Sequence, residues 1–267
     1  MVVSPREAEL AKLFNNAYRY IEFAAANQFY LIAKAAGLDY RRIYDAMKRN
    51  YPRARGIPTP GLAAGPCLMK DTAQLAAFAQ NQFSLGNAAM LVNEGLVLHI
   101  CDDLRRRYDL SRMTVGLLGM AFKAEIDDTR ASLSYKFKKV LANLAGAVLT
   151  TDPFVTTDAE LLALDEVIAR SDILILCAPH SAYRDLDFAG KPVVDVWGFL
   201  AQGERDLAAR HAEFVGTRLA TLSEGKEGSH ALVDAMAVTK SARALASLWA
   251  DTFHMKNADG SAHESNP

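Results

Sequence analysis

The 267-residue chain is 51% hydrophobic and 23% charged, with a formal net charge of −1. That is enough apolar material for two domains, and the balanced charge leaves no basic field of the kind that attracts nucleic acid or anionic membranes. The opening MVVSPREAEL lacks the charged-then-apolar order of a signal peptide and no apolar run nears the ~18 residues that span a bilayer, so a soluble cytoplasmic protein is expected.

In chain order, Ser4 stands as an N-cap, Pro5 opens the first turn and Glu7 follows three residues after the cap. Leu10, Leu13, Phe14, Ala17, Tyr20, Ile21 and Ala24 then fall at helical spacing, which predicts a long helix ending near Gly37. A second helix is expected over 40–50. The segment YPRARGIPTPGLAAGP holds four prolines and three glycines in sixteen residues and reads as an irregular, ordered loop. From 70 to 108 a further helical stretch is expected, with Gly86 and Gly95 as kinks or close-packing points. Beyond it the pattern changes to short apolar strands (114–122, 147–153, 172–179, 191–198) separated by helices, the first over 127–146. That order predicts a parallel, doubly wound sheet. The fold class is therefore α plus α/β: an all-helical domain over 1–110, an α/β domain over 111–222, and a helical extension (230–253) with a polar tail over 223–267.

Three cysteines (Cys67, Cys101, Cys177) without CxxC spacing argue against a disulfide framework and a zinc ribbon, and no histidine has ligand spacing. Cys67 lies where the Pro/Gly-rich loop meets a helix start, with Lys70 one turn on. The positive potential there favours a thiolate, although a small buried apolar residue is the competing reading. Asp71 beside them could hold a water and shuttle its proton. Lys12 and Asn16 are four apart on the first helix. They share one face, either as a solvated pair or as the ammonium and amide that a developing oxyanion needs.

Taken together, AELAKLFNNAYRYIEFAAAN, GIPTPGLAAGPCLMKDT and GMAFKAEIDDTRAS resemble, in the right order, the UDP-glucose/GDP-mannose dehydrogenase family of nucleotide-sugar dehydrogenases. The resemblance implies an NAD-dependent enzyme that oxidises the C6 alcohol of a UDP-sugar twice, through a cysteine thiohemiacetal and thioester. It implies Cys67 as nucleophile, Asp71 as the acid/base beside the hydrolytic water, and Lys12 with Asn16 as the pair that stabilises the oxyanion. Lys70 is implied to favour the thiolate, and Arg53 to reach toward substrate, in some members in a neighbouring subunit. Phe122, Lys123, Asp128 and Arg130 resemble the UDP-sugar-binding signature, with a helix-start ion pair as the bland reading of Asp128 and Arg130. His180 and the 195–197 segment match later landmarks and are assigned no catalytic role. Arg19 and Asn27 match the helix pattern and are expected to serve packing or local hydrogen bonds.

The sequence departs from that family in two places. No GxGxxG follows a first strand, so the N-terminal NAD-binding domain is expected to be absent, and NAD to require a separate domain or chain. Ala63 and Ala64 replace loop glycines, and the loop with DVWG resembles the N-acetylhexosamine branch. The resulting expectation is the central and C-terminal part of a UDP-sugar 6-dehydrogenase for polysaccharide precursors, inactive alone and homodimeric through its long helices. A non-catalytic UDP-sugar-binding or dimerisation module is the alternative, and an unrelated cysteine hydrolase is a weak third because no motif supplies a histidine for Cys67.

Overall fold

The computed structural model describes residues 2–200. The expectations for 201–267, including the 230–253 helix and the polar tail, lie outside the described residues. Four helices come first: α1 (Pro5–Ala35), α2 (Tyr40–Lys48), α3 (Leu68–Phe78) and α4 (Ser84–Arg107). α1 starts at the expected capping box, in which the Ser4 hydroxyl accepts from Glu7 N–H while the Glu7 carboxylate accepts from Ser4 N–H at 2.7 Å. It ends at Gly37, whose φ of +68° suits the left-handed stop.

The stretch 70–108 is not one helix kinked at its glycines. It breaks at Gln80 and Asn81, which have φ of +52° and +62°. Asn81 N–H reaches Ala76 C=O at 2.7 Å and Gln80 N–H reaches Ala77 C=O at 3.0 Å, the paired bonds of a Schellman stop. Gly86 instead lies beneath the Phe83 ring, where a Cβ would come within 2.4 Å. Gly95 lies within unbroken α4.

The α/β part supplies β1 (Thr114–Leu118), α5 (Leu133–Leu141), β2 (Ala147–Thr151), α6 (Leu164–Arg170), β3 (Ile173–Leu176) and β4 (Val193–Val194). The helix expected over 127–146 is shorter than its pattern, because 119–132 forms a long turn that closes with Phe122 N–H on Asp128 C=O at 3.0 Å. The sheet is parallel in the order β2-β1-β3-β4, the doubly wound arrangement expected. β1 and β3 are buried on both faces, which explains why their sequences are continuous apolar runs. One core joins helices to sheet: Tyr30, Leu96 and Leu104 pack in the same cluster as Val115, Phe137 and Ile175. No described helix is long and apolar enough to cross a membrane.

The carboxyl ends of the strands are tied by Asp152, just past β2. One of its oxygens accepts from Met120 N–H (2.6 Å), Ala121 N–H (2.9 Å) and His180 Nε2 (3.1 Å). The other accepts from Phe154 and Val155 N–H. Burial alone would raise the Asp152 pKa, but the His180 bond and the backbone donors outweigh it and bring it to about 2. The group is fully covered, so this depression stabilises the fold by about 2 kcal/mol above pH 4, and the contribution is lost as pH falls through 2. Denaturant titrations at pH 6 and pH 2.5 should therefore show wild type losing about 1.5 kcal/mol more than Asp152→Asn. Equal losses would remove Asp152 from the acid response.

Candidate active site

α1 and α3 pack so that Lys12 and Asn16 meet the first turn of α3. Lys12 Nζ lies 2.5 Å and Asn16 Nδ2 2.6 Å from the same oxygen of Asp71, Oδ2. Lys70 Nζ stands 3.2 Å from Oδ1, off the line of a hydrogen bond, which leaves that buried oxygen without a donor. The Asp71 side chain has no exposed surface, whereas the Lys12 and Lys70 side chains paired with it are 57% and 64% exposed. Burial pushes the Asp71 carboxyl up. The hydrogen bonds from Lys12 and Asn16, with the Lys70 ammonium beside them, push it down by more, so it is held below the usual aspartate range and is an anion at neutral pH.

Cys67 is the N-cap residue of α3, exposed, with no side-chain capping bond. Asp71 N–H donates to its carbonyl at 2.9 Å, the first bond of α3, so thiol and carboxylate are one helical turn apart. The Cys67 sulfur lies at the positive end of the α3 dipole. The Lys12 ammonium is held above the ordinary lysine range, chiefly by its hydrogen bond to Asp71, and Cys67 adds to that hold. Arg130 is likewise raised, chiefly by its bond to Asp128, with Cys67 contributing. The backbone bond from Gly65 N–H to Ala131 C=O (3.3 Å) joins the turn that carries Arg130 to the loop that ends at Cys67.

The loop before Cys67 is clamped on both flanks. Asn27, fully buried on α1, accepts from Gly61 N–H (2.8 Å), donates to Gly61 C=O (3.0 Å) and donates to Asn93 of α4 (2.9 Å). Packing or local hydrogen bonds were expected of Asn27; its bonds instead reach 34 and 66 residues along the chain. A Cβ on Gly61 would lie 2.2 Å from the Trp197 ring, and one on Gly65, whose φ is +106°, would lie 2.7 Å from the Phe122 ring. Gly65 N–H also donates to Ala131 C=O. Glycine is needed at both positions, for close approach at the first and for backbone conformation at the second.

Lys123 is exposed, with its ammonium 6.0 Å from the Phe122 ring centre. Asp128 and Arg130 form a forked ion pair (2.7–3.1 Å) within their own turn, which brings the Asp128 pKa down to about 2. Arg53 does not join the cluster: it is exposed on a 3-10 turn (Pro52–Ala54) and bonds to none of the other site residues. Among the described residues no group of three or more His, Cys, Asp or Glu could hold a metal ion. A cavity of about 180 Å³ lies beside the loop, lined by Tyr40, Arg41, Tyr44, Pro60 and Trp197 among others, and the buried Tyr40 hydroxyl has no partner.

Residues 6–95 match the model of the UDP-glucose/GDP-mannose dehydrogenase family, central domain, and residues 116–202 match the same family's UDP binding domain. The chain belongs to this family. Its members are oxidoreductases that act on nucleotide sugars. Among curated relatives, the UDP-N-acetyl-D-mannosamine dehydrogenase of Pyrococcus horikoshii is 30% identical over 191 residues, covering 68% of this chain and 44% of that protein. The UDP-glucose 6-dehydrogenase of Haloferax volcanii is 33% identical over 193 residues, covering 68% and 45%. Among solved structures, a UDP-glucose dehydrogenase from Pyrobaculum islandicum matches with a TM-score of 0.67 at 27% identity, covering 77% of this chain and 50% of that one. The chain thus spans about half the length of the family members it matches.

Sequence reasoning missed Asp152 and Glu125, and its view of His180 as structural left out what that ring touches. The one available signal was an Asp-Pro pair ending a strand, which marks an Asx turn. The family member should react with iodoacetamide first at Cys67. Burial pushes the Cys101 thiol up to about 12 and raises that of Cys177 further. Mass-mapped labelling at neutral pH checks this, and equal rates at the three thiols would contradict it.

Proposed function

We propose that this chain carries the thiol chemistry and the nucleotide site of a UDP-sugar 6-dehydrogenase. The observation behind this is the convergence of Lys12, Asn16 and Lys70 on Asp71, one turn from Cys67. The substrate lies along the clamped loop: nucleobase in the cavity beside Trp197 and Pro60, diphosphate at the Phe122–Lys123 turn and Arg130, and sugar C6 at Cys67. From Gly61 to Cys67 the loop spans at most about 20 Å, a length that suits an extended nucleotide sugar.

The two oxidations need a hydride acceptor, and NAD is the one the family implies. The described residues do not fit a dinucleotide. The turn after β1 has a single glycine, Gly119, and Ala178 lies 2.6 Å from where its Cβ would be, so its backbone faces protein rather than a pyrophosphate. The steps assigned here are therefore those of the chain's own side chains.

The Cys67 thiolate adds to the C6 aldehyde, forming the S–C bond and an oxyanion. Lys12 has three N–H donors and the Asn16 amide two, so each can keep one on Asp71 and turn another to that oxygen. Once the thioester exists, a water adds to its carbonyl and gives its proton to Asp71 Oδ1, the oxygen without a donor. The tetrahedral oxyanion meets the same Lys12 and Asn16, and its collapse expels the Cys67 thiolate and leaves a uronate. Two copies of the chain associate through the apolar faces of α1 and α4, where Phe14, Leu85, Leu91 and Leu98 are all more than half exposed.

In a preparation that converts UDP-sugar to uronate, Cys67→Ser should abolish uronate while leaving UDP affinity within about threefold of wild type, and Lys12→Met should slow turnover about a hundredfold. NADH formation and calorimetric titration of UDP read the two effects. Normal turnover by Cys67→Ser would end this reading.

A further inference from the structure

The strand order puts β1 between β2 and β3, so residues just past β2 and β3 are neighbours only by reaching over the end of β1. Asp152 and His180 do this: their side chains, both fully buried, meet at 3.1 Å. The turn that leaves β1 passes between their bonds. Asp152 holds its start through Met120 and Ala121 N–H. His180 Nδ1 holds it further on by accepting Glu125 N–H at 3.0 Å, and the Glu125 carboxylate accepts Ser181 N–H at 2.6 Å in return. Glu125 sits at φ +60°, a conformation that a non-glycine residue keeps only where its surroundings hold it. The residues left between the two staples are Phe122, Lys123 and Ala124.

Because Nδ1 accepts from a backbone N–H, it carries no proton, and Nε2–H is the donor to Asp152. The ring is neutral in this arrangement and inaccessible to any substrate. The Phe154 and Tyr183 rings pack on it at 5.0 and 5.5 Å between centres, contacts that an apolar side chain could also make. What an apolar replacement cannot supply is the acceptor for Glu125 and the donor for Asp152.

We infer that Asp152 and His180 are a positioning pair that fixes the nucleotide-binding turn in its binding-competent shape, so that ordering the Phe122–Lys123 segment is not left to the moment of binding. The inference rests on the assignment of that turn to the UDP diphosphate. A merely architectural histidine would affect stability alone, whereas a positioning one also affects the affinity of the folded protein.

The test is calorimetric titration of UDP into the full chain at a temperature where each variant is folded, with amide exchange read at Met120, Ala121 and Glu125. His180→Leu should weaken UDP about tenfold and expose the Glu125 amide to exchange, with saturating UDP restoring its protection. His180→Asn, whose amide oxygen can replace Nδ1 as acceptor, should recover to within about threefold of wild type. If folded His180→Leu binds within about twofold of wild type, or His180→Asn is as weak as His180→Leu, the inference is overturned while the UDP site stands. If wild type itself takes up no UDP, the site assignment falls and this inference falls with it. Nitrogen NMR of the wild-type ring needs no variant: a bare Nδ1 and a protonated Nε2 support the pair, and a proton on Nδ1 overturns it.

Discussion

The thiol end of the structure is organised around one buried carboxylate that takes its hydrogen bonds from a neighbouring helix. Asp71 has no exposed surface, and such a carboxylate is tolerable only if cations and amide donors reach it. Lys12 and Asn16 do so from α1, and that requirement fixes how α1 lies against α3. Since Asp71 is in the first turn of α3, the same contact fixes the helix start, and with it the Cys67 thiol. Removing one donor leaves a charge underpaired in the interior, which costs stability. The arrangement is also asymmetric: Oδ2 is saturated by two donors while Oδ1 has only an off-line ammonium, which separates the anchoring side of the carboxylate from the side free for chemistry.

The second constraint is the path of the loop that ends at Cys67. It runs between the helices and the sheet with no room for side chains at Gly61 and Gly65, and Asn27 grips it from α1. A loop of that composition would be floppy if isolated. Here it is a spacer of fixed length between the Trp197 cavity and the thiol, and the shared core of helices and sheet keeps both ends in register.

The helix capping at Ser4, the parallel sheet and the relation of Lys12 to Asn16 were legible in the sequence, because each follows from local spacing or from a run of apolar residues. The break at Gln80–Asn81 was not, since a left-handed stop made without glycine leaves no compositional mark. The pattern over 127–146 looked helical throughout, yet the first part is consumed by a turn whose closing bond, Phe122 to Asp128, is set by what lies beyond the strand end. Asp152 and His180 were invisible as a pair for a topological reason: 28 positions apart, they meet only because β1 lies between β2 and β3. The convergence of Lys12 and Asn16 on Asp71, more than fifty residues away, came from family resemblance rather than spacing.

In the proposed reaction Asp71 serves hydrolysis of an acyl group held by Cys67. In a preparation that oxidises the UDP-sugar, the intact mass of Asp71→Asn sampled during turnover tests it. The expected result is a nucleotide-sugar acyl adduct mapped to Cys67 that persists long after wild type has cleared. An Asp71→Asn protein that turns over at the wild-type rate with no adduct on Cys67 would contradict it.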